Sequence, residues 1–168
     1  MGADDEFREQ LKKIRGRGTL IVGVGNTLKG DDGAGCTVCE QLKDTFADLV
    51  IDAGTVPENF IGPIINKKPE VLLVIDAIDF GGLVGEVKIF APRELSSAAI
   101  STHTLSPRLF VDVVCKSIPV EVWFVGIQPG QTVLGEGLSS QVEEAVGEVA
   151  EMLAEALAGK AEDSGEER

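Results

Sequence analysis

Apolar positions recur along this chain with two periods. In residues 4–15, Phe7, Leu11 and Ile14 fall at i, i+4 and i+7, which predicts a short amphipathic helix. GRG at 16–18 breaks it. TLIVGVG, 19–25, is a continuous apolar run ending in glycine, the pattern of a buried strand. A helix is predicted over 33–46, and LVIDAG, 49–54, reads as a second strand. Thr55, Pro57 and Glu58 then match a capping box, with Thr55 as N-cap, Glu58 three residues later and Pro57 inside the first turn of a helix reaching Asn66. EVLLVIDAID, 70–79, is the most apolar strand and is expected to lie centrally. GEVKIFA, 85–91, follows after a link too short for a parallel crossover, so it is expected to run antiparallel to its neighbour. A helix over 105–116 and the strand VEVWFVGI, 120–127, come next. The last helix, 139–158, carries Val142, Val146, Val149, Leu153 and Leu157 on one stripe. The remaining GKAEDSGEER, 159–168, is polar and is expected to be a disordered tail.

This order predicts one α/β domain over residues 1–158. Its architecture is a three-layer αβα sandwich on a mixed, mostly parallel five-stranded sheet with one antiparallel strand. In such sheets ligands bind outside the carboxyl ends of the strands, so polar residues there are the candidates for chemistry.

The first such place is GVGNTLKGDDGAG, 23–35. It resembles a phosphate cradle but fails as one. G-x-G-x-x-G needs glycine where Leu28 stands, and the P-loop pattern needs Lys and Ser/Thr where Asp31 and Asp32 stand. Two carboxylates repel phosphate, and one like-charge pair at ~4 Å costs roughly 4 kcal/mol at an effective dielectric near 20. Carboxylates at the end of a strand suit a cation instead. The glycines then serve to let the backbone turn tightly and approach a ligand or partner. Asp31 is a fair N-cap for the helix beginning near Gly33, which leaves Asp32 to point into the cleft.

Asp76 follows five apolar residues in VLLVIDAID, and a carboxylate there is costly unless it is paired, hydrogen-bonded or metal-bound. Capping of a nearby loop is the ordinary alternative. Asp79 reads as solvated. His103, the one histidine, lies in ISTHTLSP before a helix, where it could reach the same sheet edge. Asp32, Asp76 and His103 together would make an open site for zinc, nickel, manganese or cadmium. A Ser-His-Asp triad is disfavoured because no serine sits in a G-x-S-x-G elbow. Cys36, Cys39 and Cys115 read as helix interior. The C-x-x-C of the first two is one helix face of small core residues, with no second pair to complete a zinc site.

Composition narrows the class of partner. The 168 residues carry a formal net charge of −13, which opposes binding to nucleic acid or anionic membrane. No apolar run is long enough to span a bilayer. The charged N-terminus lacks the apolar region of a secretory signal, so a cytoplasmic protein without disulfides is expected, and a monomer is the simplest expectation.

Five blocks, GVGNTLKGDDGAG, DAGTVPEN, VIDAID, STHTLSP and VGIQP, carry a resemblance over about residues 20–157. In order and spacing they are similar to the NiFe-hydrogenase maturation endopeptidases. The PEN and GIQP blocks most resemble members serving membrane-associated, hydrogen-evolving hydrogenases. The resemblance implies the αβα sandwich already inferred. It also implies removal of a C-terminal extension from a hydrogenase large-subunit precursor after nickel insertion. The family's metal-binding positions fall on Asp32, Asp76 and His103. Many members carry Glu where Asp32 stands, a change of reach and not of chemistry. The nickel implied is the precursor's own, with zinc or cadmium able to substitute. Asp32 or Asp76 would be the catalytic base for water, while Gly81, Gly82, Gln128 and Pro129 would shape the cleft. The alternatives to weigh are a non-catalytic nickel-checking module on the same partner and a peptidase with another protein substrate.

Overall fold

The computed structural model describes residues 3–95, 100–101 and 107–163. His103 therefore lies outside the described residues. Helix α1 is Ala3–Ile14, β1 Thr19–Val24, α2 Ala34–Leu42, β2 Val50–Gly54, α3 Ile61–Lys67 and β3 Val71–Asp79. Then follow β4 Val87–Phe90, β5 Ile100–Ser101, α4 Pro107–Ser117, β6 Glu121–Ile127 and α5 Ser140–Asp163. The strand order is β2-β1-β3-β6-β4, parallel except for β4, and the two-residue β5 adds an antiparallel pairing to the end of β3.

The layers follow from strand periodicity. Successive side chains of β3 point to opposite faces. Val71, Leu73 and Ile75 join Ile21, Val125 and Ile127 under α1, α2 and α5. Leu72, Val74 and Ile78 join Val22, Phe110, Val114 and Phe124 on the other face, under α3 and α4. The helical stripes read from sequence are the ones buried: Phe7, Leu11 and Ile14 on α1, and Val142, Val146, Val149, Leu153 and Leu157 on α5. Removing one such side chain from water is worth roughly 1.5–3 kcal/mol.

Several local details differ from the expectation. Strand β4 is antiparallel to its neighbour, as expected, and that neighbour is β6, with Val87 opposite Ile127 and Phe90 opposite Phe124. The chain from β3 to β4 therefore steps past one intervening strand, a span of ~10 Å, which residues 80–86 cover easily. The Thr55 capping box does not form. The chain turns at Gly54, in left-handed conformation at φ 58°, with its N–H on Asp52 Oδ1 at 3.1 Å. A 3-10 turn over Pro57–Phe60 follows, with Val56 at its N-cap and no capping side chain, so Pro57 keeps its place at the start of the turn. Helix α5 continues past Ala158 to Asp163, since Lys160, Ala161 and Glu162 are good helix formers.

Helix α2 lies unusually close to the sheet. A Cβ on Gly35 would collide with Ile75 O and stand 2.6 Å from Val24 O. One on Gly23 would stand within contact of the Cys39 Sγ and the Gly35 carbonyl. The carbonyls facing Gly35 cannot yield without moving β1 or β3, and the Gly35 carbonyl facing Gly23 cannot yield without moving α2. Gly35→Ala is expected to destabilise the fold by about 3 kcal/mol, read by urea unfolding. Gly147→Ala, at a helical site with nothing within 4 Å of the added methyl, is expected to gain about 0.8 kcal/mol. Equal stabilities for the two variants would refute this account of the helix-sheet contact.

Candidate active site

The loop after β1 folds back on its own strand. Residues Gly30–Gly33 form a 3-10 turn that leads straight into α2. The Asn26 N–H donates to Asp32 O at 3.2 Å, and the Asp32 N–H donates to Lys29 O at 3.1 Å. A Cβ on Gly25, whose φ is 152°, would strike that same Asp32 carbonyl. The glycines of this loop thus serve the packing of the chain against itself. Gly33 faces Thr27, and Gly30 faces the Gln131 side chain. They supply close approach of the chain to itself, where approach to a ligand or partner was expected.

Asp32 is buried in this turn, 3% exposed. Asp76 is buried on β3, 1% exposed, one residue beyond the last β1–β3 pair and opposite Gly126 of β6. Strand alternation puts it on the α3–α4 face of the sheet. The 30–33 turn packs on β3. The structure thus sets Asp32 and Asp76 at the carboxyl edge of the central strands, each with interactions within the chain. Among the described residues no three His, Cys, Asp or Glu side chains gather as metal ligands would. The donors described are two buried carboxylates, hard oxygen ligands that suit a divalent cation, and the third ligand predicted, His103, is outside the description.

Asp31 has a different role from the one expected. It does not cap α2, whose N-cap is Gly33 with no side-chain bond. Its carboxylate instead bonds a loop about a hundred residues further along the chain. Oδ2 accepts the N–H of Gly130 at 2.8 Å, the N–H of Gln131 at 3.0 Å and the Ser139 hydroxyl at 2.8 Å. Oδ1 accepts the Ser139 N–H at 2.6 Å. Ser139 immediately precedes α5, so the carboxylate stands at the positive end of that helix. Burial pushes the Asp31 carboxyl up, but the N–H donors of Ser139, Gln131 and Gly130 and the Ser139 hydroxyl outweigh it and hold the group below the usual carboxylate range. Further bonds cross the same seam. Gly30 N–H donates to Glu136 O, Asp31 N–H to Gln131 O and Gly135 N–H to Leu28 O.

Gln128 fastens the third loop of this edge. Its Oε1 accepts the N–H groups of Phe80 and Gly82 at 2.9 and 3.0 Å, and its Nε2 donates to Asp79 Oδ1 at 3.0 Å. Asp79 Oδ1 also takes the Gly81 N–H, and these two donors lower its carboxyl below the ordinary value. Gln128, named from the sequence only as a shaper of the cleft, is thus the residue that sets the 80–82 backbone. Cys36 and Cys39 are buried, as expected. Their thiols donate to Gly25 O and Ile51 O. Burial, then the nearby Asp52 carboxylate, pushes the Cys36 thiol far up and the Cys39 thiol up to about 12, so neither is a nucleophile near neutrality.

Three loops therefore meet at one edge, and each exposes apolar side chains. Among the described residues, Leu28, Leu83, Val84, Val133 and Leu134 stand exposed there, Leu83 at 81% and Leu134 at 72%.

Asp31→Asn is expected to cost about 3 kcal/mol at neutral pH, because an amide NH2 would face N–H donors. The folded carboxyl lies below its unfolded value of 3.8. Its stabilisation is therefore present above that value and is lost as pH falls through the folded pKa. Unfolding from pH 7 to pH 2 should show wild type and variant converging in acid. A constant difference would refute the clamp.

A family model described as hydrogenase maturation protease matches residues 36–156. The hydrogenase 3 maturation protease of Escherichia coli K12 is 36% identical over 113 residues, covering 66% of this chain and 72% of that protein. The crystal structure of a NiFe hydrogenase maturation protease, HycI, from Thermococcus kodakarensis KOD1 superposes with TM-score 0.80 at 32% identity, over 89% of this chain and 99% of that one. The solution structure of the endopeptidase HycI from Escherichia coli superposes with TM-score 0.72 at 32% identity, over 79% of this chain and 86% of that one.

Proposed function

The chain belongs to the hydrogenase maturation protease family, and from that premise we propose that it is the endopeptidase that removes the C-terminal extension of a hydrogenase large-subunit precursor after nickel insertion. The observation that carries this reading is the pair of buried carboxylates, Asp32 and Asp76, on neighbouring elements at the carboxyl edge of the sheet. Asp32 and Asp76, with His103, would hold the precursor's nickel, which enters as part of the substrate. Zinc or cadmium could stand in for it. When bound, the cation supplies positive charge beside the scissile peptide.

The chain's own residues do the remaining work. Asp32 or Asp76 takes a proton from the attacking water. The oxygen of that water bonds to the scissile carbonyl carbon, the C–N bond breaks, and the departing amine leaves with a proton. Burial of both carboxylates excludes bulk water and strengthens their field at the cleft. Gln128 holds the 80–82 backbone that borders it. The apolar rim of Leu28, Leu83, Val133 and Leu134 supports a protein substrate over a small molecule, since exposed apolar side chains gathered at a site mark protein contact. The blocks at PEN and GIQP favour a membrane-associated, hydrogen-evolving hydrogenase as the source of the precursor.

Intact-mass analysis of precursors incubated with the protein tests this. A C-terminal mass loss is expected with nickel-loaded precursor and not with nickel-free precursor. Asp76→Asn is expected to slow it at least about 100-fold. Failure to shorten any correctly loaded large subunit would sink the reading. Leu134→Asp is expected to raise KM several-fold with kcat little changed, because an added charge on the rim opposes docking without touching the carboxylates.

A further inference from the structure

Asp31 and Asp32 are adjacent, but their side chains have separate tasks. Asp31 is fully buried and accepts four hydrogen bonds from Gly130, Gln131 and Ser139, about a hundred residues further along the chain. Its own N–H completes the seam on Gln131 O. The turn that presents Asp32 is therefore held from two sides. On one side Asn26, at the end of β1, bonds the Asp32 carbonyl. On the other, Asp31 ties the same turn to the start of α5.

Side chains held at a reacting centre need their geometry locked by the shell behind them, and a displacement near 1 Å costs about 100-fold in rate. We propose that Asp31 is the positioning residue for Asp32: through Ser139 and the 130–131 backbone it fixes the turn that aims Asp32 at the substrate, without touching substrate itself. The inference rests on the endopeptidase reading for its kinetic consequence and on the hydrogen bonds for its structural one.

The test compares full-length wild type with Asp31→Asn, Ser139→Ala and Ser139→Thr. Ser139→Ala removes one of the four bonds and guards against the case in which Asp31→Asn fails to fold. Ser139→Thr keeps the hydroxyl. Precursor cleavage is measured below the melting temperature of each variant and corrected for the folded fraction. Amide hydrogen exchange is followed at Asn26 and Asp32, with Val74 and Val125 as core references.

Asp31→Asn is expected to lower kcat about 10- to 100-fold with KM within about threefold of wild type. Ser139→Ala should move kcat the same way by a smaller factor, and Ser139→Thr should restore it. The Asn26 and Asp32 amides should exchange faster in the first two variants, while the core amides do not change. A kcat within twofold of wild type in folded Asp31→Asn or, should that variant not fold, in Ser139→Ala overturns the proposal. So does unchanged protection of the Asn26 and Asp32 amides. If wild type cleaves no precursor, the endopeptidase reading falls separately, and the exchange data alone decide the role of Asp31.

Discussion

The buried Asp31 carboxylate is the constraint on which the carboxyl edge of this molecule depends. Removing a carboxylate from water costs several kcal/mol even after relaxation, in a chain that already carries a net charge of −13. Four donors offset that cost, each hydrogen bond to a charged group being worth roughly 1.5–3 kcal/mol. No cation is needed in the balance, because three of the donors are backbone N–H groups and the fourth is the Ser139 hydroxyl. Two of them, both from Ser139, lie at the N-terminal end of α5, where negative charge is favoured. The arrangement joins the loop after β1 to the loop before α5, at the edge where Asp32 and Asp76 stand.

Around that hub the rest of the edge is built from main chain held by side chains. Gln128 does for the 80–82 loop what Asp31 does for the 130–139 loop, with an amide in place of a carboxylate. Glycines allow the close approaches. Gly35 lets α2 settle against β1 and β3, and Gly25 lets the Asp32 carbonyl return to the end of β1. A site placed on strand ends and on turns tied this way is stiff, while its rim of exposed Leu28, Leu83 and Leu134 remains available to a large partner. That division suits a protease that acts on another protein.

Much of the fold is legible in the sequence. The continuous apolar run in EVLLVIDAID and the stripe on α5 describe both faces of β3 and one face of a helix, and those faces are the buried ones. Asp32 and Asp76 were legible for a related reason. Asp76 closes an apolar run within β3 and Asp32 lies in the glycine-rich loop that follows β1, so the position of each is readable from its near neighbours in sequence. Asp31 was misassigned as a cap for α2 because the local rule looks three residues ahead, whereas its partners lie 99 to 108 residues away. The Thr55 box failed for a local reason, since the turn at Asp52 and Gly54 moved the start of the next element.

Periodicity and strand-end position act within a few residues, so the sequence settled the element order, the three layers and the two carboxylates at the sheet edge. The neighbour of β4, the self-packing of the glycine loop and the donors around Asp31 are contacts between distant segments. They have no local signature, because their energy exists only once β1, β3, β6 and α5 have assembled and brought those groups within hydrogen-bond reach.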